Sequence, residues 1–328
     1  MKVLFIGGTG VISSACTDLC VDMGMDLHLL NRGQTKRSVP AGVTTIKADI
    51  RDKNEIKSLM AKRSFDIVVN WISYTLDHVK ADLELFSDKT SQYIFISSAS
   101  AYQKPPSSLP IKETEPLINP YWEYSRNKID CEEFLLKMYH KNDFPVTIVR
   151  PSHTYDRTKI ALSGGYTTLD RMRAGNKIVI HGDGTSLWTL THHTDFARGF
   201  VGLLGHPEAI GEAFHITSDE VLTWNQICEI FAEVLGVEPK IVHIPSDFIY
   251  RYDKEWGEGL LGDKAHCMIF DNSKIKQINP QFECKVPLKQ GAKEIVDWYN
   301  ENPEEKVIDP SWDSKIEHII SRFEIHLG

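Results

Sequence analysis

Tyr124 and Lys128 stand four residues apart in the stretch YWEYSRNK. On a helix, positions i and i+4 share a face. An ammonium there would favour the phenolate and lower a tyrosine pKa that starts at about 10. A hydroxyl sharing a hydrogen bond with the same substrate oxygen would complete a proton-transfer site, and Ser98, in FISSASAY, is the candidate. Spacing alone does not decide, because Tyr250 and Lys254 repeat it. That second pair has no comparable strand or serine before it and reads as accidental.

A second set of residues has the spacing of an anion site. VLFIGGTGVIS places Gly7 and Gly10 after a strand and at the mouth of a helix, where missing side chains let backbone N–H groups approach a pyrophosphate. Thr9, Val11 and Ile12 belong to the same turn, and the third glycine of such turns is here Ser13. The second strand ends in Asn31 and Arg32; an arginine there suits the 2′-phosphate of NADP, an acidic residue the ribose of NAD, so the sequence points to NADP or NAD with NADP preferred. Asp49, followed by Ile50, could accept from an adenine amino group or cap the next helix. Strand ends place Asn70, Trp71, Ser97, Pro151 and His153 with Tyr124 and Lys128 as further cofactor contacts. Ser73, Ser98, Tyr124, His153 and Trp188 are the substrate candidates, Trp188 being as consistent with a core aromatic.

These residues need a frame to hold them. The first half alternates short apolar runs (KVLFIGG, LHLLNR, VTTIKADI, FDIVVNWI, QYIFISSAS, FPVTIVRP) with helical patterns at Val11 to Gly24, Lys53 to Arg63, His78 to Ser87 and Tyr121 to His140. Alternation of this kind predicts right-handed crossovers and a doubly wound parallel sheet, an α/β Rossmann domain. The proline-rich stretch 103–120 is expected as a loop over the carboxyl ends of the strands. Residues 1–155 plus about 188–217 are assigned to the nucleotide domain, and about 156–187 plus 218–328 to a smaller α/β substrate lobe.

Composition narrows the class. A chain of 328 residues, 41% apolar and 25% charged, is expected to be globular. Its apolar runs are too short to cross a bilayer and Met1 leads directly into a strand, so a cytoplasmic protein without membrane contact is expected. Net charge of −8 offers no bulk attraction for nucleic acid. The six cysteines lack metal or disulfide spacing and the 13 histidines are scattered, so reduced thiols and no metal are expected.

Taken together, GGTG, ADI, SSASAY, Tyr124-x-x-x-Lys128, VRPSHTY, GDGTSLW and DNSKIKQINP…VDWY resemble the extended short-chain dehydrogenase/reductases, the NAD-dependent epimerases and dehydratases of nucleotide sugars. The resemblance covers nearly the whole chain. It implies Ser98, Tyr124 and Lys128 as a catalytic triad, with the tyrosine exchanging a proton with a sugar hydroxyl or carbonyl while nicotinamide exchanges a hydride, and Lys128 holding the nicotinamide ribose. It also implies a homodimer formed through the helices at 78–87 and 121–140.

The departures are specific. Family dehydratases carry an Asp-Glu pair after the catalytic serine or threonine, and Ala99 and Ser100 stand here, removing the groups that eliminate water. Trp188 replaces the arginine that family epimerases place after Gly-Asp-Gly, and His153 replaces an asparagine, which narrows the case for a nucleotide-sugar over a simpler sugar. LTHHTDFARGF and FHITSDEVLTWNQICEIFAEVLG also resemble atypical reductases that bind RNA, so a non-catalytic NAD(P)- or RNA-binding protein is the alternative; the retained tyrosine motif and the acidity oppose it.

Overall fold

The computed structural model describes residues 1–327. Six strands, β1 (Lys2–Ile6), β2 (Asp26–Asn31), β3 (Thr44–Lys47), β4 (Phe65–Asn70), β5 (Thr90–Ile96) and β6 (Val146–Pro151), join Ala213–Ile216 in one sheet. The strand order is 213–216, β6, β5, β4, β1, β2, β3, and every neighbour is parallel. The chain winds from β1 outward to β3, then crosses to β4 and winds the other way. The turn of direction lies between β1 and β4, where crevices open at the carboxyl ends of strands in such sheets.

The sheet is buried on both faces because its strands are apolar at consecutive positions. Val3, Phe5, Leu29 and Val69 pack on one side with Phe196 and Phe200. Leu4, Ile6, Leu30 and Val68 pack on the other with Val79, Cys131 and Leu135. The covering helices in the first half are α1 (Val11–Asp22), α2 (Lys53–Met60), α3 (Leu76–Phe86) and α4 (Glu123–Asn142). The Asn119 side-chain oxygen accepts from the N–H groups of Tyr121 and Trp122 at 3.2 and 3.1 Å, which starts α4 two residues later than the sequence pattern predicts. Tyr124 therefore lies in the first turn.

Two further cores lie beyond the sheet. One joins Trp188, Trp224, Phe231, Leu288 and Ile295. The other seats the carboxyl-terminal helix Pro310–Leu327, through Ile316, Ile319 and Ile320, on Ile244, Phe248 and Leu260. The strands Lys177–His181 and Lys240–Ile244 form a separate parallel pair. The 103–120 loop is tied to this region where the Ile111 N–H donates to the Ile269 carbonyl at 2.8 Å. All six cysteines are free. Among the described residues no helix is long and apolar enough to cross a membrane, and no cluster of three or more His, Cys, Asp or Glu side chains is placed to hold a metal.

Candidate active site

A cavity of about 830 Å³ opens over β1, β2 and β4, lined by Gly7 to Ser13, Asn31, Arg32, Asp49, Ile50 and Trp71. Gly7 holds φ +109°, and a Cβ there would stand 3.1 Å from the Trp71 Cβ, so the turn depends on glycine. Ser13, at the position of the third glycine, does more than fill space: its hydroxyl accepts from the Gly10 N–H at 2.7 Å and closes the start of α1. A glycine-built turn, a helix start and strand tips converging on one cleft fit a dinucleotide.

Asp49 is not the cap of the following helix. Its Oδ1 accepts from the Arg51 N–H at 2.9 Å, while Asp52 accepts from Asn54 and Glu55 at the helix start. Arg51 and His78 also line this cavity, contacts the sequence did not single out. The Arg51 guanidinium donates to the Ile72 carbonyl at 2.6 Å.

Ile12, Trp71, Tyr74 and Ile96 belong both to this wall and to that of a second cavity of about 410 Å³, so the two are contiguous. The second is lined by Ser97, Ser98, Tyr124, Lys128, Pro151, His153 and Trp188. The residues chosen for proton transfer thus face one space, beside the glycine turn. Ser98 Oγ lies 2.9 Å from Ser100 Oγ, which accepts from Ser125 Oγ at 2.7 Å, so a hydroxyl chain runs back from Ser98 into α4.

The electrostatics differ from the expectation. Tyr124 is pushed up to about 12, chiefly by burial, with Tyr74 adding to the rise and the Ser98 hydroxyl opposing it. Lys128 does not hold it down, because its ammonium is committed elsewhere: it donates to the Ser73 carbonyl at 2.6 Å and the Ile96 carbonyl at 2.7 Å. Burial lowers Lys128 itself to about 8. Two of its three donors are spent, leaving one for a ligand.

Two sequence candidates point away from the cleft. Asn70 Nδ2 and Ser73 Oγ donate to Asp82 Oδ2 at 2.6 and 2.7 Å, joined by Tyr93 Oη at 2.7 Å, in a fully buried network. A strand-end position predicts proximity to the cleft but not side-chain direction, and the buried carboxylate on α3 takes both groups. Their contribution is indirect, since Ser73 supplies the carbonyl that holds Lys128. Ser97 lines the cavity but donates its hydroxyl to Glu132, which also pairs with Arg150 at 2.6 Å. Trp188 is both wall and core; its Nε1 donates to His153 Nδ1 at 3.2 Å, and its ring lies 5.3 Å from that of Trp224. Burial, with Lys264 and Lys159 nearby, keeps His153 well below its ordinary range and so neutral. Tyr250 is partly exposed and Lys254 pairs with Glu258 at 3.6 Å, away from either cavity.

Sequence reasoning missed Tyr74, Trp122, Lys159 and Lys264, all on the second cavity's wall. Tyr74 follows Ser73 and could have been found from the strand-end rule. Lys159 and Lys264 are brought in by segments far along the chain, with no local motif to mark them.

Fold and site together define an α/β enzyme of the dinucleotide-binding type, with Tyr124 on the wall of a cavity beside the glycine turn. Residues 3–217 match the model of the NAD dependent epimerase/dehydratase family, and the chain belongs to that family, within the short-chain dehydrogenase/reductase enzymes. It is 27% identical over 273 residues to the chloroplast stem-loop binding protein of 41 kDa b of Arabidopsis thaliana, covering 77% of this chain and 68% of the relative. Its fold is similar to that of the epimerase Mth375 of Methanothermobacter thermautotrophicus, with TM-score 0.75 at 18% identity over 93% of this chain and 94% of the other. A dTDP-glucose 4,6-dehydratase from Bacillus anthracis, solved in complex with NAD, gives 0.73 at 19% identity over 93% and 98%.

Proposed function

We propose that the chain is an NAD(P)-dependent oxidoreductase or epimerase acting on a hydroxyl or carbonyl of a sugar or nucleotide sugar. The observation that carries the reading is the convergence of Ser98, Tyr124 and Lys128 on a cavity contiguous with the glycine-turn cleft. Gly7, Gly10 and the start of α1 would hold the dinucleotide's phosphates, and the bound nicotinamide would supply the hydride chemistry. Tyr124 would pass a proton to or from the substrate oxygen, with Ser98 sharing the hydrogen bond that fixes that oxygen. Lys128, held by Ser73 and Ile96, would offer its remaining N–H to the cofactor ribose. NADP is preferred over NAD in this reading because Arg32, and no carboxylate, follows β2 on the cavity wall. Dehydration is disfavoured, since Ala99 and Ser100 lack a carboxylate.

The division into a nucleotide domain (1–155 plus about 188–217) and a substrate lobe (about 156–187 plus 218–328) belongs to this reading, with cores that cross it: Tyr102 and Trp188 pack with Trp224 and Ile295, and Ile275 and Phe282 with Phe200. The homodimer through α3 and α4 and a cytoplasmic location belong to the same reading. A substrate screen followed by Tyr124→Phe tests it: cofactor binding should persist while turnover falls about 100-fold or more. Unchanged turnover would remove Tyr124 from the chemistry.

A second reading, RNA binding without turnover, is supported by the 27% identity to a protein named for stem-loop binding. Net charge of −8 works against it. Saturable, salt-sensitive binding of a stem-loop RNA, together with no turnover in the screen, would favour it.

A further inference from the structure

Resting on the reading of the second cavity as a substrate site, the geometry points to Lys264 as the residue that recognises an anionic group, phosphoryl or carboxylate, on the sugar, with Lys159 beside it. The Lys264 backbone is held by three side chains from three segments. Its carbonyl meets His181 Nε2 at 2.9 Å, Ser186 Oγ at 3.2 Å and Trp224 Nε1 at 3.2 Å. One carbonyl with three donors, two of them on buried rings, is more support than a surface turn requires, and it fixes where the side chain starts. The ammonium reaches the cavity wall with Nζ 5.7 Å from the centroid of the Trp122 ring.

The charges around it leave room for an anion. Burial lowers the Lys264 ammonium, and Lys159, which lines the same cavity, adds to this by repulsion, so an anion in the cavity would favour the charged form of both. Asp263 also lines it and attracts Lys264, but the carboxylate is shared with the Lys104 ammonium at 3.8 Å, and burial raises its carboxyl. Trp188 and His153, deeper in the wall, carry no charge to compete. Two ammonium groups facing one cavity cost energy that an anionic ligand would offset. Among the described residues no arginine lines this cavity, so recognition would be of a point charge, not of a planar fork. Trp122 offers a flat apolar surface beside it for the sugar ring.

Titration calorimetry of the full chain with NAD present, using glucose, glucose 1-phosphate and glucuronate, tests the assignment. At least one anionic sugar should bind about tenfold or more tightly than glucose, and which one does so separates a phosphoryl from a carboxylate specificity. Lys264→Met should remove the advantage, Lys264→Arg should retain part of it, and Lys159→Ala should weaken it about threefold. Should Lys264→Met melt lower than the wild type, Lys264→Gln replaces it in the same comparison. Equal affinities for all three sugars, or an undiminished preference in both neutral variants, overturns the proposal. The preference should survive in Tyr124→Phe, so a failure of the acid–base assignment and a failure of this one are separately visible.

Discussion

Lys128 Nζ lies 5.8 Å from the centroid of the Tyr124 ring yet hydrogen-bonds to the carbonyls of Ser73 and Ile96. The pair shares a helix face, as the i, i+4 spacing requires, but burial sets the phenol's rise, and what opposes it is the Ser98 hydroxyl, not the cation. A phenol near 12 is a proton donor at neutral pH and a poor base. Reduction of a carbonyl can use that state directly; oxidation of a hydroxyl needs the phenolate. The positive charge of a bound oxidised nicotinamide would supply the missing stabilisation.

Ultraviolet difference titration of the wild type against Tyr124→Phe should therefore show no ionisation of Tyr124 below about pH 10 in the free protein. Saturating NAD⁺ should move that ionisation down by about one unit or more. A Tyr124 that already titrates near neutrality without cofactor would contradict the buried geometry.

Lys128 gives a pH dependence of opposite kind. Its folded pKa, about 8, lies below the 10.5 of the free side chain. Below pH 8 both states are protonated and the cost of burying the charge is fully present. Between about 8 and 10.5 the unfolded chain binds the extra proton, so this group's contribution to stability rises with pH, by up to about 3 kcal/mol. Buried thiols such as Cys20 and Cys131, pushed from 9.0 up to about 12, act in the other direction from about pH 9 upward, overlapping the upper part of that range. The comparison is therefore made between the wild type and Lys128→Met by denaturant melts at pH 7 and 9.5: the variant should lack the upward component.

The sheet, its winding and the glycine turn were legible because each rests on local pattern: consecutive apolar residues in β1 and β4, helical spacing between them, and Gly7 at a tight strand end. That Ser98, Tyr124 and Lys128 would face one cavity was legible because an i, i+4 pair shares a helix face and Ser98 follows a strand end beside it. Direction failed as a guide at Asn70 and Ser73, where a single buried carboxylate, 12 and 9 residues downstream, turns both side chains inward. Lys264 was hidden for a different reason: His181, Ser186 and Trp224, which hold it, are separated from it by 40 or more residues. The late start of α4 follows from Asn119, whose capping geometry a periodicity does not register.

Asp82 is the centre of that inward-turned network, and its burial raises its carboxyl. Asp82→Ala would strand the Asn70, Ser73 and Tyr93 donors in the interior, at a cost of about 3 kcal/mol or more. Since Ser73 supplies one of the two carbonyls on Lys128, cofactor affinity should weaken even in protein kept below its melting range. Chemical melts and NAD titrations measure the two effects; a stability change within about 0.5 kcal/mol would mean the network contributes little.

Gly8 tests the turn apart from any ligand. It holds φ +76°, and a Cβ there would lie 2.6 Å from the Leu29 Cδ2 in the core. Gly8→Ala combines left-handed backbone strain with overpacking, and should destabilise by roughly 2–4 kcal/mol. Gly24→Ala provides the control: φ is +72° there, but nothing lies within 4 Å, so only the backbone cost of about 1 kcal/mol should appear. Equal losses at the two sites would show that Leu29 gives way freely.

In the proposed reading, Arg32 selects the cofactor phosphate. It follows β2 on the wall of the larger cavity beside Asn31, whose side-chain oxygen accepts from the Gly33 N–H at 2.9 Å and so shapes the turn that carries it. Arg37, a few residues on, is not available for the same task, since its guanidinium pairs with Asp156 at 2.6 Å. Arg51, on the same wall, is partly engaged by the Ile72 carbonyl. A 2′-phosphate placed against Arg32 would gain charge-assisted hydrogen bonds that a 2′-hydroxyl does not make. Calorimetric titration should accordingly show NADP binding about tenfold more tightly than NAD, with Arg32→Ala erasing the difference by weakening NADP alone. Equal affinities in the wild type, or an Arg32→Ala variant that weakens both cofactors alike, would make Arg32 a cation of the cleft rim with no role in discriminating the phosphate.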